Sequence, residues 1–373
     1  MTHIKPEKIR IAILLESLDL GGIGRLSISL AEELANRGLE VDLVLFKKQG
    51  EYLDQVPDIV NLVDLGNKRL LLGIYAVGNY LKASKPEVLI SAKERVNIQA
   101  LFAKRLYNSK TRIFISVHVN NTEEMARQGA SIYRRVIIAL ARLTYQWADQ
   151  VIAVSKGVAE DVKHLFKVPV DKIKVIYNPI ISPVLSEKAK EAVEHSWFED
   201  ASKPVIVGMG RLIAQKDFST LLKSFAQVRK EIPGVKLVIF GEGKDRSKLE
   251  SEIRTLQLEN DVEMPGYVDN PYKYLKRASV FVMSSAWEGF GNVLVEAMAV
   301  GTPVVSTDCP SGPAEILKDG KCGPLVPVSN VNRLAQAVVA VLKDPPDPIA
   351  LQSRAESFSI EKAVDKYLEL INS

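Results

Sequence analysis

Residues 279–296 read Ser-Val-Phe-Val-Met-Ser-Ser-Ala-Trp-Glu-Gly-Phe-Gly-Asn-Val-Leu-Val-Glu and contain one complete change from strand to helix. A short apolar run rich in β-branched residues gives way to a glycine loop, and then to a segment with helical spacing. The same change recurs from one end of the chain to the other. This alternation predicts parallel sheets joined by crossover helices, which is an α/β fold.

The strands that this pattern predicts fall into two groups. The first group is Ile9–Leu15, Val41–Phe46, Ile59–Leu65, Val88–Ser91, Arg112–Val119, Gln150–Ser155 and Lys174–Tyr177. The second group is Val205–Met209, Val235–Phe240, Ser279–Ser284, Pro303–Ser306 and Leu325–Val328. We therefore expect two doubly wound, Rossmann-like domains, with ligands bound at the carboxyl edges of the strands in a cleft that the domains face.

The segment 178–203 interrupts the alternation with prolines and charges, so it is the predicted linker. The first domain is then 1–180 and the second 181–357. Residues 358–373 have apolar side chains at helical spacing beyond Pro345 and Pro346. This terminal helix either completes the second domain or packs back on the first.

Composition is that of an ordinary globular protein, with 47% hydrophobic and 25% charged residues among 373. The two cysteines, Cys309 and Cys322, are too few for a disulfide framework and have no metal-ligand spacing. Residues 1–10 are polar and resemble no signal peptide, and no apolar run reaches the roughly 18 to 20 residues that span a bilayer. We expect a cytoplasmic location.

Charge is divided unevenly. Residues 1–180 carry 26 basic and 19 acidic side chains, a net charge of +7, whereas residues 181–373 carry 23 and 26, a net charge of −3. The basic first half favours an anionic surface, either a phospholipid leaflet or a phosphorylated acceptor. We expect no nucleic-acid partner.

The loop and helix after residue 285 are predicted to bind a sugar nucleotide. The glycines permit close approach of a ligand to the backbone, and the first amides of a helix that begins near Asn292 attract an anion. Glu296 can accept two ribose hydroxyls, while Glu288 reaches another part of the ligand. The predicted contacts are Glu288, Gly289, Phe290, Gly291, Asn292, Val293, Leu294 and Glu296.

Two cations follow the first strand of the second domain. Cleavage of a glycosyl–phosphate bond leaves extra negative charge on the diphosphate, so Arg211 and Lys216 beside its oxygens would lower the barrier. Because the chain has no Asp-x-Asp pair, we expect these cations to act in place of a metal, and we expect no cofactor. Asp217 is predicted to cap the next helix.

The first domain offers a glycine loop and a histidine. The amides of Gly21 and Gly22 are predicted to touch the diphosphate or the transferred sugar. The loop departs from a dinucleotide fingerprint, because Ser27 stands where the third glycine is due, so a nicotinamide oxidoreductase is disfavoured. His118, at the end of a predicted strand, is a candidate hydrogen-bond partner of a sugar hydroxyl or a structural residue.

Two further glycines are weaker candidates for substrate contacts. Gly241, in a Gly-Glu-Gly turn, either passes near the nucleotide or only forms the turn. Gly266, in the run 265–268, is expected to offer backbone groups to the edge of a base.

Together these motifs resemble family 4 of the glycosyltransferases, the retaining enzymes of GT-B architecture, over essentially the whole chain. The resemblance rests on Glu-x7-Glu at Glu288 and Glu296, on the segment Gly208–Asp217, on Gly21 and Gly22, and on the segment Thr307–Glu315. The last segment resembles bacterial members that extend lipid-linked or surface oligosaccharides. It implies a glycan or lipid-linked acceptor.

The resemblance assigns roles to individual residues. It implies that Glu296 holds the ribose, that Arg211 and Lys216 hold the diphosphate, and that Glu288 and His118 contact the transferred sugar. It also implies transfer of a hexose or N-acetylhexosamine, from a UDP-sugar as a first expectation, with retention at the anomeric carbon. The family's first loop commonly carries glutamate where this chain has glycine at position 24.

Other assignments stay open at this point. A nucleotide-sugar epimerase of the same architecture or a non-catalytic sugar-nucleotide-binding module would use many of the same residues. The stretch 133–142 places apolar residues beside three arginines, so it is either a helix lying on the inner face of the plasma membrane or an interior crossover helix.

Overall fold

The computed structural model describes residues 9–19, 21–66, 70–129, 131–199 and 203–373. Residues 1–8, on which much of the signal-peptide expectation rests, and residues 200–202 of the predicted linker lie outside the described residues. Contacts between Cα atoms divide the chain into two compact units, 1–179 with Ile360–Ser373, and Ile180–Ser359.

The first unit contains a parallel sheet whose described strands lie in the order β3-β2-β1-β4-β5-β6-β7. The strands are β1 Arg10–Leu15, β2 Glu40–Leu45, β3 Asn61–Asp64, β4 Val88–Ala92, β5 Arg112–Val117, β6 Gln150–Ala153 and β7 Ile173–Val175. The helices are α1 Gly22–Asn36, α2 Leu70–Ser84, α3 Glu94–Leu106, α4 Asn121–Gln128, α5 Ile132–Thr144 and α6 Lys156–Phe166.

The second unit contains a second parallel sheet, with its described strands in the order β10-β9-β8-β11-β12-β13. The strands are β8 Val205–Met209, β9 Lys236–Phe240, β10 Val262–Gly266, β11 Val280–Met283, β12 Val304–Thr307 and β13 Leu325–Val326. The helices are α7 Pro183–Lys188, α8 Ser196–Glu199, α9 Phe218–Glu231, α10 Arg246–Thr255, α11 Tyr272–Arg277, α12 Asn292–Ala299, α13 Pro313–Ile316, α14 Val331–Lys343 and α15 Pro348–Ala355.

The central strands are mostly apolar because helices cover both faces of each sheet. In β1, for example, the five residues from Ile11 to Leu15 are all buried, and Ile11 pairs with Val41 on one side and Val88 on the other. The doubly wound α/β fold predicted from the sequence is confirmed.

The last helix, α16 Ile360–Asn372, belongs to the first unit. It packs against α1, and its buried residues join the core under β1 and β2. The Arg112 side chain donates to the carbonyl of Leu370 at 3.3 Å, and Arg37 pairs with Asp365 at 2.9 Å. These bonds anchor the last helix at its middle and near its C-terminal end.

The structure corrects several boundaries. Residues 262–266 form strand β10, which was not predicted because its exposure alternates at the sheet edge, and Gly266 of the predicted run 265–268 is its last residue. Strand β5 ends at Val117, so His118 lies in the loop after it. The predicted linker contains the two short helices α7 and α8. At its start, the Ile180 amide donates a hydrogen bond to the carbonyl of Phe358 at 3.0 Å.

Candidate active site and family membership

Two loops of the second unit are held together at the carboxyl edge of its sheet. Strands β8 and β11 are neighbours, so the loops after them start side by side. The amide of Ala286 donates to the carbonyl of Gln215 at 2.8 Å, and the Gln215 side chain donates to the carbonyl of Trp287 at 3.0 Å. Ser284 Oγ donates to the carbonyl of Lys216 at 2.8 Å. These bonds fix residues 215–216 against residues 284–287.

Lys216 and Glu288 form an ion pair at the centre of these loops. The distance from Lys216 Nζ to Glu288 Oε1 is 2.5 Å, and the two side chains are only 17% and 9% exposed. Ser285 Oγ donates to the same carboxylate oxygen at 2.6 Å. The structure thus brings together a residue predicted to bind the diphosphate and a residue predicted to contact the sugar. The two form an ion pair with each other.

Glycines let three neighbouring strands end in close contact. Gly210 donates to the carbonyl of Phe240 at 3.0 Å, and Gly241 donates to that of Gly266 at 2.8 Å. A Cβ at Gly241 would lie 2.0 Å from the carbonyl oxygen of Gly210, and one at Gly210 would lie 2.9 Å from Cε of Lys216. The glycines therefore leave room both for the strand ends and for the stem of Lys216.

The segment Thr307–Glu315 contacts the backbone of the loop that carries Glu288. The buried Thr307 Oγ1 donates to the carbonyl of Ser285 at 2.5 Å, and the Glu288 amide donates to the carbonyl of Pro310 at 3.2 Å. A Cβ at Gly312 would lie 1.9 Å from the carbonyl oxygen of Phe290. The segment Thr307–Glu315 therefore positions Glu288 through backbone contacts.

Helix α12 begins at Asn292 as predicted, after Gly291 in a left-handed conformation with φ of 104°. One part of the anion-site prediction is wrong: the Leu294 amide is not unpaired, because it donates to the carbonyl of Gly291 at 3.0 Å in a tight first turn. Glu296, one turn into the helix, is 2% exposed.

Arg211 and Asp217 take different positions in the loop after β8. Arg211 is exposed at the start of the loop. The capping role predicted for Asp217 is confirmed, because its carboxylate accepts from the amide and the hydroxyl of Thr220 at 3.3 and 2.8 Å. The Asp217 carboxylate is thus used within the fold, and Arg211 presents its guanidinium to solvent.

In the first unit, the predicted glycine loop opens helix α1. Gly21, with φ of 148°, is the N-cap and Gly22 the first helical residue. A Cβ at Gly24 would lie 3.3 Å from the Tyr52 ring and 3.4 Å from the carbonyl of Asp19. Gly24 therefore sits in a tightly packed position.

His118 lies close to this loop, since Ile23 and His118 line the same cavity. Its Nε2 is 2.9 Å from Ser116 Oγ. The residue is half-buried, but buried neighbours surround the ring, and this desolvation lowers the pKa of His118 to about 4. At neutral pH the imidazole is therefore uncharged and can offer one donor and one acceptor.

Three further features complete the description. Burial raises the pKa of the Cys309 thiol, and neither cysteine is in a disulfide. Across the described ranges, no cluster of three or more His, Cys, Asp or Glu side chains has the spacing to hold a metal ion. In the same ranges no helix is long and apolar enough to cross a membrane.

Comparison with known families identifies the class of protein. Residues 20–181 match the family described as Glycosyltransferase Family 4, and residues 189–358 match Glycosyl transferases group 1. The chain belongs to this glycosyltransferase family.

Two relatives extend the comparison. The chain is 33% identical over 273 residues to the N-acetylgalactosamine-N,N'-diacetylbacillosaminyl-diphospho-undecaprenol 4-alpha-N-acetylgalactosaminyltransferase of Campylobacter jejuni, covering 73% of this chain and 71% of the relative. It is 32% identical over 256 residues to an uncharacterized glycosyltransferase of Methanocaldococcus jannaschii, covering 67% of this chain. That alignment spans 62% of the archaeal protein's length.

A solved structure with the same fold is Anabaena HepE in complex with UDP. The two chains superpose with a TM-score of 0.76 at 21% identity, over 98% of this chain and 100% of the other. At this identity the likeness establishes the GT-B fold alone.

Sequence reasoning missed the residues that hold the site in place. These residues are Ser285, Gln215 and Thr307. Ser285 and Thr307 could have been found, because each is a polar side chain at the carboxyl end of an apolar strand. Ser116, a hydroxyl within the apolar strand β5, gave a similar signal. The pairing of Lys216 with Glu288 had no local signal, because it depends on β8 and β11 being neighbours.

Proposed function

We propose that this protein is a retaining glycosyltransferase that moves a hexose or N-acetylhexosamine from a nucleotide diphosphate sugar to a glycan or lipid-linked acceptor. The observation that carries the proposal is the 2.5 Å contact of Lys216 with Glu288, in loops that neighbouring strands bring together. This reaction requires a cation beside the leaving diphosphate and a carboxylate beside the sugar, both in the same site.

The donor is assigned to the second unit. Arg211 and Lys216 bind the diphosphate, Glu296 binds the ribose, and the start of α12 faces a phosphate. HepE was solved with UDP, and the Campylobacter relative is named for transfer to a diphospho-undecaprenol acceptor. The first supports a UDP-sugar as donor, and the second supports a lipid-linked acceptor.

We assign the leaving-group charge to side chains, without a metal. In the proposed step the bond between the anomeric carbon and the β-phosphate oxygen breaks, and its electron pair leaves with the nucleoside diphosphate. The acceptor oxygen bonds to the same face of that carbon, and its proton passes to the departing phosphate oxygen. The two cations stabilise the charge that develops there.

A donor screen tests the proposal directly. Purified protein is incubated with UDP- and GDP-sugars, with and without a lipid-linked oligosaccharide acceptor, and the products are identified by mass spectrometry. The proposal expects one donor to give nucleoside diphosphate and an extended acceptor. An interconverted donor without acceptor would instead identify an epimerase, and no turnover of any donor would favour a binding module.

Contact with an anionic membrane is the second part of the proposal. Helices α2, α3 and α5, here called the basic helix layer, pack side by side with α3 in the middle. They carry eight of the thirteen large hydrophobic side chains exposed in the described residues. The eight are Leu71, Leu72, Tyr75, Leu106, Ile132, Tyr133, Val136 and Leu143.

The basic residues and the exposed apolar side chains of this layer both fit contact with a phospholipid leaflet. The three helices contain seven Lys or Arg residues and one acidic residue, Glu94, which bonds to Arg134. In α5 the buried face holds Ile137 and Ile138, while Ile132 and Val136 are 83% and 51% exposed. Helix α5 is thus a crossover helix whose outer face is also apolar, as in helices that lie in a membrane interface. We place the reaction at the inner face of the plasma membrane.

Flotation with vesicles tests this second part. We expect the protein to float with vesicles of equimolar phosphatidylglycerol and phosphatidylcholine, and less with phosphatidylcholine alone. The double variant Ile132→Ser, Leu143→Ser should stay at the bottom of the gradient. The control Val184→Ser, Ile349→Ser removes equally exposed side chains from the second unit and should float normally. Equal flotation of both variants would exclude the basic helix layer as the contact.

A further inference from the structure

The ammonium of Lys216 and the carboxylate of Glu288 are held unequally. In the described part of the chain, the Lys216 ammonium has one hydrogen-bond partner, Glu288 Oε1 at 2.5 Å. That oxygen has a second partner, because Ser285 Oγ donates to it at 2.6 Å. If the ammonium moves away, the carboxylate therefore keeps one charge-assisted hydrogen bond, whereas the ammonium keeps none.

The side chain of Lys216 can change position while its backbone stays in place. Its carbonyl accepts from Ser284 Oγ at 2.8 Å, and its amide donates to the carbonyl of Ile213 at 2.9 Å. The flexible stem passes Gly210, where a Cβ would lie 2.9 Å from Lys216 Cε. The ammonium can thus turn toward another anion without displacing the loop that carries it.

Ser285 is held in its loop by backbone contacts. Its carbonyl accepts from Thr307 Oγ1 at 2.5 Å, and the Glu288 amide, three residues later, donates to the carbonyl of Pro310 at 3.2 Å. An ionised carboxylate only accepts hydrogen bonds, so the hydroxyl of Ser285 is the donor to Glu288. The donor and the acceptor of this bond therefore lie on one short, well-supported loop.

The second carboxylate oxygen of Glu288 is available to a ligand. Oε2 bonds to none of the described residues, since both contacts of the carboxylate are made by Oε1. Oε2 is also not among the fully buried polar atoms that lack a partner, so it keeps contact with solvent. A ligand hydroxyl can therefore donate to Oε2 without breaking a hydrogen bond within the protein.

We propose that Ser285 is a positioning residue that retains the Glu288 carboxylate when the donor draws Lys216 onto its diphosphate. Ser285 then holds Oε1, and Oε2 accepts from a hydroxyl of the transferred sugar. The inference rests on the proposed function, in which Lys216 binds the diphosphate and Glu288 contacts the sugar. The ion pair is thus the contact of the donor-free protein, and the cation leaves it while the carboxylate stays.

A ligand-free crystal structure of Lys216→Met tests this retention without any turnover. The variant removes the ammonium, as the donor does in the proposal, and keeps most of the volume of the side chain. We expect a Glu288 oxygen to remain at ~2.5 to 3.0 Å from Ser285 Oγ. A carboxylate turned away from Ser285 would overturn the proposal. In a wild-type complex with UDP, Lys216 Nζ should lie on the diphosphate, and an ammonium still bonded to Glu288 would likewise overturn it.

Kinetics measure the consequence for turnover. Ser285→Ala should lower kcat by about tenfold or more, because the carboxylate loses the bond that retains it, with KM for the donor changed by no more than about twofold. The matched control is Ser224→Ala, which removes a hydroxyl that donates to the carbonyl of Thr220 at 2.8 Å. Both serines are 1% exposed in the second unit, but Ser224→Ala should leave kcat unchanged. Equal effects on kcat, or a rise in KM alone, would contradict the positioning role.

A double-mutant cycle separates positioning from general loss of stability. In a Glu288→Ala background, Ser285→Ala should have no further effect on kcat, because the residue through which it acts is gone. Additive losses would show that Ser285 acts through another group and would contradict the proposal. If the wild-type protein turns over no donor, the proposed function fails, while the structure of Lys216→Met still decides whether Ser285 retains the carboxylate.

Discussion

Lys216 Nζ lies 2.5 Å from Glu288 Oε1, so the cation assigned to the diphosphate is already paired with the carboxylate assigned to the sugar. The donor must therefore compete for both groups, or insert between them. Because both side chains are mostly buried, each would lose its partner at a cost if the other were removed.

Replacement of Glu288 should affect turnover more than binding. Glu288→Ala removes the proposed sugar contact and releases Lys216, which remains available to the diphosphate. We expect kcat to fall by about 100-fold or more, with affinity for the nucleoside diphosphate changed by no more than roughly threefold. Steady-state kinetics and calorimetry measure the two effects. Equal, small changes in both would count against the assignment.

Replacement of Arg211 should affect both quantities. The exposed guanidinium is free to form charge-assisted bonds to the diphosphate in the ground state and as charge develops. Arg211→Ala should weaken nucleoside diphosphate binding and lower kcat, each by about tenfold or more. Arg277→Ala, also exposed in the second unit, is the control and should change neither. A variant that loses only stability would contradict this role.

The close contact of strand ends predicts a steric effect at Gly241. In Gly241→Ala the new Cβ would overlap the carbonyl oxygen of Gly210, which lies 2.0 Å away. We expect the free energy of unfolding to fall by about 2 to 4 kcal/mol. Gly234→Ala also has a positive φ, of 77°, but its Cβ would make only an ordinary contact with Lys203 Cγ at 3.9 Å, so it should cost only about 1 kcal/mol. Chemical denaturation of both variants, followed by fluorescence, gives the comparison. Similar losses would show that φ alone decides the cost.

The low pKa of His118 predicts a direction for pH effects. The pKa of about 4 in the folded protein lies below the value of about 6.5 in an unfolded chain, so the unfolded chain binds the extra proton first. The stabilising contribution of the neutral ring is complete above pH 6.5 and is lost as the pH falls from 6.5 toward 4. An NMR titration should show no protonation of His118 between pH 8 and pH 5.5. A midpoint near 6.5 would contradict the desolvation of the ring.

Much of this fold was predictable because the parallel sheets read as apolar runs followed by glycine loops and helices. Strand β10 was missed because its residues alternate in exposure at the sheet edge, in the manner of a loop rich in glycine and proline. The role of Asp217 as the N-cap of α9 could be predicted from the local sequence alone. By contrast, the ion pair of Lys216 with Glu288 joins residues 72 positions apart, and neither loop alone gave a sign of its partner.

In the proposed reaction, side-chain cations and not a metal ion hold the diphosphate. The decisive experiment is a calorimetric titration of UDP into the wild-type protein and into Lys216→Ala, each with magnesium and with excess EDTA. We expect equal wild-type affinity in both buffers, and in the variant an affinity that is lower by about tenfold or more. Binding that disappears in EDTA, or a Lys216→Ala variant that binds UDP as tightly as the wild type, would contradict it.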